Sequence, residues 1–150
     1  MVRRARLEHL ATELLRLGAA LRPPVPVEDL YTHPPHLLWH PDNAIHQPDD
    51  PYQARLEIAR TIAQHVSASS WPLRIQLLGP QPLAAGEIEL FALALLLPTG
   101  LLSGVNENQR TPSAISTIFQ VPIKATTLRL AELGYLAPDT DQRAIGDTTD

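Results

Sequence analysis

Asp50-Pro51-Tyr52-Gln53-Ala54-Arg55-Leu56-Glu57-Ile58-Ala59-Arg60-Thr61-Ile62-Ala63-Gln64-His65-Val66 is the stretch around which the other segments make sense as packing. Asp50 is placed to accept hydrogen bonds from the first free backbone N–H groups, and Pro51 gives up a donor that had no partner in any case. Tyr52, Leu56, Ala59, Ala63 and Val66 recur at helical spacing, which predicts a helix with one apolar face. The other face carries Glu57, Arg60, Thr61, Gln64 and His65.

Residues 83–98 form a second informative stretch. Apart from Glu87 and Glu89 it is apolar on every side, the pattern of a helix buried in the middle of a fold, and Pro98 ends it. The chain has 150 residues and 44% hydrophobic content, enough for one core and one domain. Zero cysteines exclude a disulfide framework and Cys-based zinc sites. The basic start, Met1 to Arg6, leads into an amphipathic pattern and not a signal core, so a cytoplasmic location is expected. No apolar run reaches membrane-spanning length. A net charge of −4 gives no overall attraction to nucleic acid or anionic lipid.

Elsewhere, residues 3–21 read as a helix with Leu7, Leu10, Leu14, Leu17 and Leu21 as its buried stripe, and a short second helix is expected after Pro26. Residues 31–47 hold His33, His36, His40 and His46 among prolines, with Leu37-Leu38-Trp39 as a short strand. Those His spacings match no zinc template, so no metal is assigned to them. Residues 67–72 read as a loop, and Leu73, Ile75 and Leu77 alternate with polar residues as in a strand. Residues 99–104 are a turn-rich exit. Residues 111–135 read as two short helices joined at Gln120 to Pro122, the second burying Ala125, Leu128 and Leu133 and stopping at Gly134. Residues 137–150 have four Asp and no apolar period, the composition of a disordered tail.

The helix ending in Ala59-Arg60-Thr61-Ile62-Ala63-Gln64-His65 resembles the active-site helix of the ImmA/IrrE metallopeptidase-like family, and Phe91-Ala92 with Leu95-Leu96-Leu97-Pro98 resembles its second signature. Active members of that family use a His-Glu-x-x-His motif, two His for zinc and a Glu to activate water. The resemblance sets Arg60 and Gln64 at the zinc-ligand positions, Thr61 at the general base, Glu87 at the third ligand and Glu89 near the polar residue that follows it. It implies an α+β, mainly helical, zincin-like domain over residues 1–136, with a small, shortened β-sheet and a C-terminal helix-turn-helix-like hairpin at 111–136. It also implies a bacterial regulatory or stress-response role, since active members cut a partner repressor or antitoxin.

A guanidinium has no lone pair to give and repels a divalent cation, and a threonine hydroxyl does not ionise near neutral pH. The altered site therefore predicts a pseudopeptidase without metal or cofactor, binding a repressor- or antitoxin-like protein. An Arg60–Glu87 ion pair, with Gln64 hydrogen-bonded beside it, is expected to fill the former zinc pocket. Two other readings stay open. The hairpin resembles a DNA-binding helix pair, with Lys124, Thr126, Thr127 and Arg129 as candidate contacts. An unusual metallohydrolase would use His65, Glu87 and a His from the 33–46 segment.

Overall fold

The computed structural model describes residues 2–41 and 48–135. His46 and the 137–150 tail lie outside them. The described residues form eight helices: α1 (Val2–Leu17), α2 (Val27–Thr32), α3 (Pro51–Ala68), α4 (Trp71–Arg74), α5 (Ala85–Leu96), α6 (Thr99–Leu102), α7 (Pro112–Phe119) and α8 (Ile123–Glu132). Two 3-10 turns, Pro35–Leu37 and Glu107–Gln109, complete the list.

Among the described residues there is no β-strand, which overturns the expected α+β class with a shortened sheet. Leu37-Leu38-Trp39 follows and overlaps a 3-10 turn because Pro34 and Pro35 start it and His36 and Leu37 take positive φ, 54° and 52°, conformations that break a ladder. The second expected strand fails for a different reason. Pro72 sits at the start of α4, where its missing N–H costs nothing, and Leu73 enters that helical turn while Gln76 turns left-handed at φ 64°. Alternation over so few residues did not outweigh this local turn chemistry.

α5 lies between α1 and α3, and α2 covers α3 from outside. α3 begins as its sequence demands: Asp50 Oδ1 accepts from Tyr52 N at 2.9 Å and Gln53 N at 3.4 Å, with Pro51 at the first helical position. Its buried face is wider than the expected stripe, because Ile58 and Ile62 join Leu56, Ala59, Ala63 and Val66. α5 is sealed from Phe91 through Leu97, the part of the chain with no polar side chain. α1 stops at Leu17, where Ala19 takes φ 52°, so Leu17 and Leu21 fall outside the core and Ala11 and Leu15 take their share of the stripe.

The hairpin forms where expected. Thr111 caps α7 by accepting from Ala114 N at 3.2 Å, and Gln120 ends it in the left-handed region. The buried side of α8 differs from the expected one: Thr126, Arg129 and Leu130 point inward, and Leu128 points out. No helix among the described residues is long and apolar enough to cross a membrane.

Since Phe91 is fully buried in the middle helix, Phe91→Ala is expected to lower the unfolding free energy by about 3–5 kcal/mol. Leu37→Ala, at a side chain 82% exposed, is expected to change it by less than about 0.5 kcal/mol in the same urea titrations.

Candidate functional site

The polar residues singled out in the sequence lie where α3 and α5 meet. α3 presents Glu57, Arg60, Thr61 and Gln64 along its outer side, and α5 presents Glu87 and Glu89 in its first turns. Glu87 and Glu89 are two residues apart on a helix, about 200° round its axis, so they cannot both face α3. Because α5 is flanked by α1 on one side and α3 on the other, the carboxylates divide between the neighbours.

Arg60 accordingly pairs with Glu89 and not with Glu87, which corrects the expected Arg60–Glu87 pair. Its Nε donates to Glu89 Oε1 at 2.7 Å and Oε2 at 2.9 Å, and its Nη1 donates to Glu57 on its own helix. Glu87 instead accepts from Arg3 of α1, through Arg3 Nη2 at 3.2 Å and Nε, and from the backbone N–H of Ala84 at 2.9 Å, helping to cap α5. Thr61 donates its hydroxyl to Glu57 O at 2.9 Å, and Gln64 is exposed to solvent.

These contacts set the electrostatics. The hydrogen bond from Arg3, and then that from Ala84 N, hold the Glu87 carboxyl below its ordinary pKa, while Glu87 raises that of Arg3. Glu89, and secondarily Glu57, raise the pKa of Arg60. Each cation is thus bound in its charged form and each carboxylate is engaged by a guanidinium. The donor set does not fit a metal, because Glu57 and Glu89 are both engaged by Arg60 and Glu87 by Arg3, guanidiniums that cannot ligate. Among the described residues no three His, Cys, Asp or Glu side chains converge as a metal site would require.

His65 belongs to a different cluster. Its ring stacks on Trp39, with centroids 6.1 Å apart and planes at 19°, and lies tilted against Tyr31 at 5.9 Å. Trp39 donates its indole N–H to Tyr31 O at 3.0 Å, which fixes the stack. Leu38, Trp39, His40, His65, Ala68 and Ser69 line an open cleft of about 280 Å³ there. His33, His36 and His40 are exposed on the chain that leads to it. The separation of Tyr31, Trp39 and His65 in sequence hid this stack.

On the hairpin, two of the four candidate nucleic-acid contacts are withdrawn from solvent. Thr126 is buried, donating to Pro122 O at 3.0 Å. Arg129 is 1% exposed, with Nε and Nη2 donating to Leu97 O at 3.1 and 3.0 Å and its two terminal nitrogens donating to the Glu8 carboxylate. Only Lys124 and Thr127 of that set are exposed. Arg55 was missed altogether by sequence reasoning. It is buried and donates to Val25 O at 2.7 Å, Glu28 at 2.8 Å, Gln120 O at 3.1 Å and Phe119 O at 3.3 Å. The available signal was its place beside Leu56 and Ile58 on a face with an apolar period.

Because folding lowers the Glu87 pKa, the stability this group adds is present above the ordinary glutamate value, about 4.3, and is lost as pH falls through the folded-state value. Thermal melts between about pH 3 and pH 7 are expected to show a shallower acid decline for Glu87→Gln than for the unmodified chain. Equal slopes would remove the Arg3–Glu87 pair from the stability of α5.

Compared with known proteins, the chain matches no protein-family model, no curated protein and no solved structure.

Proposed function

We propose that the chain is a non-catalytic regulatory module that binds another protein through the outward face of α8. The observation that carries this reading is the exposed arc of α8 on which Ile123 and Leu128, each 52% exposed, stand about 140° apart with Lys124 and Thr127 between them, on a helix whose arginine is turned inward. A face of two large apolar side chains with Thr127 and a single cation, Lys124, suits the apolar patch of a protein partner. It suits a duplex poorly, since phosphate contacts need several cations.

The altered site supports the non-catalytic half of the proposal. Arg60 stands where the resemblance sets a zinc ligand, and its guanidinium is committed to Glu89 and Glu57. The resemblance of the α3 and α5 sequences to the ImmA/IrrE signatures supplies the class of partner, a repressor- or antitoxin-like protein. The expected sheet forms no part of the proposal.

The test uses the full chain and an Ile123→Asp/Leu128→Asp variant as baits in the source cell, with melts of both in parallel. Exposed positions tolerate such changes, so the variant is expected to keep its melting temperature. It is expected to lose the protein that the unmodified chain retains, with binding weakened roughly 30-fold or more. Retention of the same protein by the variant removes the α8 face. One zinc per chain with peptide hydrolysis, or duplex DNA retained in place of protein, removes the whole reading.

A further inference from the structure

α7 and α8 pack on each other more extensively than either packs on any helix of the body formed by α1, α2, α3 and α5. An exposed stretch, Asn106 to Gln109, leads into them. Three arginines fasten the hairpin to the body: Arg4 of α1 donates to Glu132 of α8 at 2.8 Å on the surface, and the other two are buried guanidiniums. Arg129 reaches from α8 to Glu8 on α1 and to Leu97 O at the end of α5. Arg55 reaches from α3 to Phe119 O and Gln120 O at the end of α7 and takes Glu28 as its counterion.

A buried ion pair is worth little against an apolar contact of the same volume, yet its loss on one side leaves a desolvated charge. The guanidiniums therefore fix position more than they add stability, and the apolar share of the joint falls to a few side chains, Ile115, Phe119, Val121 and Leu130. The contact of α3 with α5 is more extensive, and Ala59 and Ala63 of α3 and Ala92 of α5 are buried small residues that permit close packing. Proteins open first along their less stable joints, in contiguous units.

We propose that the α7–α8 hairpin is a latched unit that opens from the body ahead of global unfolding, with the Arg129–Glu8 pair as its latch. Opening brings Phe119, Val121 and Leu130, all buried in the closed state, to solvent beside the exposed Ile123 and Leu128. That cost keeps the open state a minor one, and it makes the apolar surface of the hairpin a function of the latch. The inference concerns how the hairpin is held and stands whether or not the α8 face binds a partner.

Native-state hydrogen exchange of the full chain tests it, read on peptides covering 51–68, 85–96 and 112–132. Amides of α7 and α8 are expected to exchange at least about 10-fold faster than those in the middle of α3 and α5. Glu8→Gln is expected to speed the hairpin amides by roughly a further 100-fold, leaving α3 and α5 unchanged. A hairpin that exchanges together with α3 and α5 in the unmodified chain overturns the proposal. A hairpin that exchanges early but ignores Glu8→Gln overturns the latch. If Glu8→Gln fails to fold, Glu28→Gln at the half-exposed counterion of Arg55 takes its place, with the same increase expected in the hairpin alone; no increase there overturns the latched joint.

Discussion

The structure is governed by the far half of α5, where Phe91 through Leu97 carries no polar side chain and needs cover on every side. A helix at the surface needs one neighbour; one apolar all round needs several. α1 and α3 supply two flanks, and their own apolar stripes, Leu7, Leu10, Ala11, Leu14 and Leu15 on one and Leu56, Ala59, Ile62, Ala63 and Val66 on the other, are spent in doing so. α2 then covers the side of α3 that remains. The order of the helices in space follows from which apolar surface is left over at each step.

Arginine does much of the joining between these elements. Arg3 ties α1 to α5, Arg60 ties α3 to α5, Arg129 ties α8 to α1 and the end of α5, and Arg55 ties α3 to the end of α7. Its fork of five donors lets one side chain take a carboxylate and a terminal helix carbonyl together, which a lysine does less well. Three of the carbonyls these arginines take, Leu97 O, Phe119 O and Gln120 O, lie at helix ends and have no intrahelical partner. Capping a helix end from another element satisfies a buried acceptor and sets the distance between the elements at once.

Such use of charge bears on function. A side chain whose donors are spent inside the fold is not available to a substrate, a metal or a phosphate. Arg60, Arg129 and Arg55 are all committed in this way, and with them Glu89, Glu8 and Glu28. What remains for a partner on the hairpin is the outward face of α8, where Ile123, Lys124, Thr127 and Leu128 are exposed. The proposal that α8 recognises a protein by shape and apolar contact rests on that distribution.

The sequence by itself determined the long helices. Asp50 with Pro51, the apolar period of residues 52–66, the unbroken apolar run before Pro98 and the Thr111-Pro112 start of α7 all act over one or two turns, so their effect is readable locally. It did not decide the polar pairings. Glu87 and Glu89 are both near enough to Arg60 in a sequence-based picture, and only the placement of α5 between α1 and α3 sends one to Arg3 and the other to Arg60. The inward turn of Arg129 and the outward turn of Leu128 were likewise decided by tertiary structure, because Glu8 and Leu97 O waited on other elements. The expected strands failed for the same reason in miniature. Alternation over three to five residues is a weak preference, and without a partner strand to bond to, the prolines at 34, 35 and 72 and the left-handed residues after them turned the chain into short helical turns.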